Sequence, residues 1–371
     1  MSNQLYDQLW LIPSPLAEDL DEKMALGAKF KLLEDQPRFH LLDDLFEFDR
    51  CRFQNEHSLT LPPESGDQKG AFSRLFDRIF GSDELEIWAG IEERILSKAH
   101  DARDTSLQIE VNMRGSRVPR EFRASVWRYF IGNRIRFNKS LFNHLLKKVA
   151  SSKPNPIIEK DGLRIFHHFS KSPEFRLVLK EAAVLIEMFK LYRPDVNYVP
   201  GMICPTVILL LVLPPYQAFK ALANLIVGNK VFFNCYSLES KKTNPFYAKI
   251  RLIAHRQCPQ LVKAIQGSKI DLWGAIWSEV VYFAFQRTFD LKTTLVLWDF
   301  MLMNPNHFFL KLNYVAFKQF EFHFNQLDKD DLVRSCKVWM ARNSEVLVRE
   351  LVNFSDHEFD FGFLNGDEED D

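Results

Sequence analysis

Apolar side chains recur every three or four positions from about residue 110 to residue 352, which is the spacing that builds one face of a helix. No stretch alternates polar and apolar residues for long enough to predict a β-strand. Glycine contributes only 14 of the 371 residues, whereas phenylalanine contributes 34. Because tight hairpins depend on glycine, the sequence predicts an all-α, multi-helix fold with an aromatic core.

The chain divides into three predicted regions. Residues 1–104 are expected to be a partly helical N-terminal extension, and residues 105–355 the helical domain. Residues 356–371 interleave acidic residues with phenylalanines and end in five consecutive acids, so they are predicted to be a disordered acidic tail.

Helix-period segments and proline breaks predict where the helices lie. The predicted helices are 71–80 and 85–99 in the extension, then 119–128, 139–150, 175–191, a pair over 206–227 that breaks at Pro214 and Pro215, 246–255, 273–286, 293–302, 307–324 and 330–354.

Charge and cysteine usage exclude several classes of protein. The formal net charge of −1 gives no general attraction to nucleic acid. The five cysteines are scattered and never form a CxxC pair, which indicates reduced thiols rather than a disulfide frame or a zinc site. The start of the chain lacks a signal-peptide layout, and the apolar run Val207–Leu213 is shorter than the roughly 20 residues that cross a membrane. We expect a cytoplasmic protein without a transmembrane segment.

Two short motifs place an arginine near a possible partner. Arg123 and Trp127 are four residues apart behind Val118-Pro119, so they share one helix face, where a guanidinium can lie against an indole. Asp161 precedes Arg164 by three residues, so the carboxylate can hold the arginine in place. Taken alone, the first is most often a structural pair and the second a surface ion pair.

A third motif lies in a loop between two predicted helices. It contains Asn197 and reads Tyr198-Val-Pro200-Gly201-Met, directly before the apolar run. Further along the chain, Trp298 and Asp299 are adjacent in a predicted helix.

The order and spacing of these segments resemble the TBC domain, the catalytic domain of Rab GTPase-activating proteins. That family carries V/I-P-x-x-x-R-x-x-x-W, then I-x-x-D-x-x-R, then Y-x-Q-G-M, and later a W-D pair. The resemblance covers about residues 110–355. It implies an all-helical domain that binds a GTP-loaded Rab, with Arg123, Trp127, Trp298 and Asp299 as structural motif residues.

The resemblance also implies roles for the second and third motifs. In the family, the arginine of I-x-x-D-x-x-R enters the GTPase site, and the glutamine of Y-x-Q-G orients the attacking water. Arg164 is therefore the candidate arginine finger, worth roughly 10³–10⁵ in rate. Asp161, Asn197, Tyr198 and Gly201 are the candidate residues of the GTPase-binding site. GTP and Mg²⁺ would be carried by the partner, so no cofactor or metal is expected in this chain.

The chain departs from the family pattern at the glutamine. Pro200 stands in its place, and a proline has no side-chain amide that could hold a water molecule. Asn197, three residues earlier, has the right functional group. Ile165 follows Arg164 where the family usually has a small hydroxyl residue, the next proline is absent, and Arg117 occupies a position where glycine is common.

Three functional hypotheses follow from the resemblance and its departures. The first is a Rab-binding TBC protein of vesicle trafficking whose GTPase-activating activity is weak or lost, reaching endomembranes through its partner. The second is an active GTPase activator that uses Arg164 with the GTPase's own glutamine. The third is a scaffold that uses the helical fold for protein interaction. In none of these does the chain have an enzyme activity of its own.

Two other features have simpler explanations. His167 and His168 are adjacent and point about 100° apart on a helix, which disfavours a metal site. Seven arginines and one lysine crowd residues 114–139. A solvated helix face is the commoner explanation of such a stretch, and docking to an acidic GTPase surface or to anionic lipid is the alternative.

Overall fold

The computed structural model describes residues 41–42, 45–46, 82–97, 102–115, 117–151, 155–228, 236, 240–265, 282–327 and 331–354. All regular secondary structure in these residues is helical, which confirms the predicted all-α fold. The predicted helix 71–80 and the acidic tail lie outside the described residues.

The described helices follow one another with short connections. They are α1 (Ser82–Ser97), α2 (Ala102–Gly115), α3 (Arg120–Ile131), α4 (Lys139–Ser151), α5 (Pro156–Ile165), α6 (Pro173–Tyr192), α7 (Ile203–Val212), α8 (Pro215–Gly228), α9 (Ser240–Gln257), α10 (Pro259–Ile265), α11 (Leu291–Met303), α12 (Pro305–Phe322), α13 (Leu332–Arg342) and α14 (Ser344–Asn353). Short 3₁₀ turns occupy Phe169–Lys171, Pro200–Met202 and Phe324–Gln326.

Side-chain caps fix the starts of the helices around the central core. Asn155 accepts a hydrogen bond from the backbone N–H of Ile157 at the start of α5, and Ser172 accepts one from Phe175 at the start of α6. Asp290 does the same for Thr293 at the start of α11. Each such cap stabilises a helix by about 1 kcal/mol.

Helix α7 forms the centre of the domain. All ten of its residues are buried, including Thr206, whose hydroxyl donates to the carbonyl of Met202. A helix that is apolar on every side is a core helix, and α7 packs against α5, α6 and α8. Among the residues that the structure describes, no helix is long and apolar enough to cross a membrane.

Helices α1 and α2 pack against the start of the domain through a second, smaller core. This core joins α1, α2 and α3 with the residue that precedes α3, and its buried members are Trp88, Ile91, Ile109, Met113, Val118 and Val126. Leu41, Leu42 and Leu45 are buried in the main core. Parts of the predicted extension therefore pack on the helical domain, while a boundary near residue 104 stays a prediction.

One helix prediction is wrong at its C-terminal end. Residues 273–281 of the predicted helix 273–286 lie outside the described residues, and the chain turns from residue 283 instead of continuing as a helix. Ala284 and Phe285 have left-handed φ angles of 48° and 73°. Their side chains are buried, and the carbonyl of Ala284 accepts the indole N–H of Trp298 at 3.4 Å. Tertiary packing buries this apolar run as a turn, although its periodicity is helical.

Candidate functional site

Arg123 and Asp299 form a buried ion pair between α3 and α11, although they are 176 positions apart in the sequence. Nε of Arg123 lies 2.9 and 3.1 Å from the two carboxylate oxygens of Asp299, and Nη2 lies 2.9 Å from Oδ2. Nη2 also donates to the carbonyl of Val118 at 3.1 Å. The side chains are only 8% and 1% exposed, so the pair belongs to the core.

The two motif tryptophans complete this cluster. The indole N–H of Trp127 donates to Oδ1 of Asp299 at 2.6 Å, and the rings of Trp127 and Trp298 stack with centroids 5.3 Å apart. Burial raises the pKa of the Asp299 carboxyl, while Arg123 and the Trp127 N–H oppose that shift. The structure brings the four predicted structural motif residues into one cluster that ties α3 to α11.

Asp161 links the candidate arginine finger to the third motif. Nη2 of Arg164 lies 2.6 Å from Oδ1 of Asp161, and the hydroxyl of Tyr198 donates to Oδ2 at 3.0 Å. One carboxylate thus connects α5 with the loop that precedes the Pro200 turn. The Arg164 side chain is 34% exposed, against 11% for Asp161, so the arginine is anchored at one end and open to solvent.

The protonation of this group depends on burial and on two opposing contacts. Burial raises the pKa of Asp161, while the Tyr198 hydroxyl and the Arg164 guanidinium lower it. The pKa of Tyr198 is also raised, by burial and by the charge of Asp161 beside it. The phenol therefore keeps its proton and remains a donor to Asp161 at neutral pH.

The glutamine position lies at the first residue of a 3₁₀ turn. Pro200 is half-buried, and Gly201 packs beneath Tyr282. A Cβ atom at position 201 would overlap the carbonyl oxygen of Tyr282 and lie 2.7 Å from two of its ring carbons. The Tyr282 carbonyl also accepts the hydroxyl of Tyr236 at 3.3 Å. This contact explains why glycine is needed there, and the sequence carries no signal that Tyr282 supplies it.

The remaining candidate residues occupy less constrained positions. Asn197 is exposed, one residue before Tyr198. Ile165 is half-buried and ends α5. Gly162, next to Asp161, lets α5 approach α6 and α7, since a Cβ there would lie 3.4 Å from Leu179 and Ile203. Among the described residues, no group of three or more histidine, cysteine or acidic side chains could hold a metal ion.

Comparison with known proteins agrees with this geometry. A family model described as the Rab-GTPase-TBC domain matches residues 120–324, more than half of the chain. The GTPase-activating protein GYP3 of Saccharomyces cerevisiae is 23% identical over 257 residues, which are 57% of this chain and 40% of that protein. This chain therefore aligns with less than half the length of that relative.

A solved structure shows the same fold. The Chlamydomonas flagellar RabGAP TBC domain superposes with a TM-score of 0.58 at 18% identity, over 79% of this chain and 94% of that domain. The family match contains the Arg123–Asp299 cluster, the Asp161–Arg164 pair and the Pro200 turn. The chain belongs to the Rab-GTPase-TBC domain family.

Proposed function

We propose that this chain binds a Rab-family GTPase through the surface around Arg164 and stimulates GTP hydrolysis weakly or not at all. The observation that carries the proposal is Pro200, which occupies the position of the family's water-orienting glutamine. The ring has no donor or acceptor for a water molecule. Gly201 is held beneath Tyr282, so the turn has little freedom to bring another side chain to the same place.

The anchored arginine supports retained binding. Arg164 keeps its ion pair with Asp161 while a third of its side chain stays exposed to a partner. Phosphoryl transfer is accelerated by charge stabilisation and by positioning of the attacking water, and this chain retains a group for the first task only. Removing one preorganised donor in other enzymes costs about 10²–10³ in rate, which is the loss we assign to Pro200.

A second candidate function is favoured by the same exposed guanidinium. The chain would be an active GTPase activator in which Arg164 stabilises the charge and the GTPase's own glutamine orients the water. In that case Arg164→Ala abolishes stimulation, and substitution of the GTPase's switch glutamine abolishes it too. In a mechanism with two groups from the activator, the GTPase glutamine would be dispensable.

Single-turnover GTP hydrolysis across a panel of Rab proteins tests the proposal. We expect GTP-dependent binding with little acceleration by the wild-type chain, and a gain of activity in Pro200→Gln. Asn197→Gln is the matched control, because it adds the same side chain to the same loop at an exposed position. Acceleration above about 10²-fold by the wild-type chain would contradict the proposal. Absence of binding to every GTP-loaded Rab would favour the scaffold hypothesis.

The proposed partner also supplies the ligands and the place. GTP and Mg²⁺ would enter the complex with the Rab, since TBC proteins act on the nucleotide of another protein. A cytoplasmic chain of this kind would reach an endomembrane, and a role in vesicle trafficking, through that partner.

A further inference from the structure

The loop between α3 and α4, residues 132–138, is held rigidly and is called the basic loop below. The side-chain amide of Asn133 donates to the carbonyl of Phe137 at 2.8 Å and accepts from its N–H at 2.9 Å. Asn224 of α8 accepts the N–H of Ile135 at 3.2 Å. Gly132 and Arg136 have left-handed φ angles of 64° and 54°, so the loop is a closed, hydrogen-bonded turn.

This rigid loop presents cationic side chains to solvent. Arg134 and Arg136 are exposed, as are Arg128 before the loop and Lys139 after it. In the part of the chain that the structure describes, neither Arg134 nor Arg136 pairs with a carboxylate. Lys220 of α8 lies close enough for Arg128 to lower its pKa, an effect to which burial contributes more.

Acidic side chains are absent from the segments that build this surface. Residues 122–158 contain eight lysines and arginines and no aspartate or glutamate, and residues 196–238 also contain no acid. The acids on neighbouring elements are engaged locally. Glu92 of α1 accepts from Ser125, and Glu187 of α6 pairs with Lys190 at 3.3 Å. The positive charge of the loop is therefore not balanced at the surface.

The basic loop lies away from the Arg164 site. Phe137 anchors the loop against Tyr216 and Phe219, which follow the C-terminal end of α7. The Arg164 site packs at the other end of α7, where Gly162 meets Ile203. Ten helical residues span about 15 Å, so the two surfaces are separated by roughly that length along α7.

We propose that the basic loop and its flanking cations form a binding surface for a membrane that carries anionic lipid headgroups. Between residues 117 and 151, no large apolar side chain is exposed. A protein partner would normally need an apolar or aromatic centre for affinity, whereas a lipid surface attracts basic residues by charge alone. This surface acts independently of Rab binding, because it lies one helix length from Arg164.

Sedimentation of the full chain with lipid vesicles tests the proposal. We expect binding to phosphatidylcholine vesicles that contain about 30% phosphatidylserine, and little binding to phosphatidylcholine alone. At about 1 kcal/mol for each basic residue, Arg134→Ala with Arg136→Ala should lower the partition coefficient about 30-fold. The double change to lysine should keep most of the binding. The matched control is Lys318→Ala with Arg334→Ala, which removes the same charge from exposed positions on α12 and α13.

Each alternative outcome is distinct. No binding to the charged vesicles, equal loss in the control, or binding that survives about 0.5 M salt would overturn the proposal. If the alanine variant binds vesicles normally but loses a GTP-loaded Rab, the surface serves an acidic protein instead. Circular dichroism melting curves establish that the variants fold. The vesicle assay contains no GTPase, so failure of the proposed function does not affect its result.

Discussion

The buried Arg123–Asp299 pair gives a prediction whose size can be worked from the structure. Asp299→Leu replaces the carboxylate by an apolar group of similar volume. The guanidinium of Arg123, with a side chain only 8% exposed, then loses three hydrogen bonds and keeps the one to Val118. Breaking a buried ion pair costs about 3–5 kcal/mol. The indole N–H of Trp127 also loses its acceptor, which adds about 1 kcal/mol.

Urea unfolding followed by circular dichroism measures this loss. We expect Asp299→Leu to lower the free energy of unfolding by about 4–6 kcal/mol, a large part of the 5–15 kcal/mol typical of a domain. The double variant Arg123→Met with Asp299→Leu should be more stable than Asp299→Leu alone, because no charge is left buried.

Asp195→Leu provides the matched control. Asp195 pairs with Arg193 at 2.5 Å, but its side chain is 56% exposed. An exposed pair is worth about 0–1 kcal/mol, so the same substitution there should have little effect. A loss below about 1 kcal/mol in Asp299→Leu would refute the reasoning, as would a double variant less stable than the single one.

Two further predictions concern the Pro200 turn and its support. Gly201→Ala should destabilise the fold by about 1–3 kcal/mol in the same urea assay, because the new methyl group overlaps Tyr282; an unchanged midpoint would contradict the packing described here. Tyr198→Phe should raise the pKa of Asp161 further in an NMR titration, because the lost hydrogen bond favoured the ionised carboxylate; a lowered pKa would contradict it. With a folded pKa above the unfolded one, this carboxyl stabilises the fold at low pH, and that contribution is lost as the pH rises through the folded value.

Periodicity predicted most of the described helices close to their observed bounds, because packing against a common core imposes a regular apolar face. It missed α5, the helix that carries Arg164. This helix is only ten residues long and starts at Pro156, directly after a proline-rich loop. Its stability comes from the Asn155 cap and from close packing at Gly162, and neither leaves a long apolar pattern.

The candidate site could be predicted residue by residue but not as a set of contacts. Spacing along one helix relates Asp161 to Arg164, and the structure adds Tyr198, 37 positions away, as the second partner of the carboxylate. Likewise, the spacing of Arg123 and Trp127 placed them on one face without showing that both donate to Asp299. Long-range partners depend on how helices cross, which a single sequence does not specify.

The central claim is that loss of the glutamine at Pro200, with Arg164 retained, has weakened or removed GTPase activation. Its most direct test is single-turnover GTP hydrolysis by a Rab that binds the chain, compared between wild type, Pro200→Gln and Arg164→Lys. We predict little acceleration by wild type, a gain in Pro200→Gln, and a smaller change in Arg164→Lys. Acceleration above about 10²-fold by the wild-type chain, abolished in Arg164→Lys and unchanged in Pro200→Gln, would contradict the account.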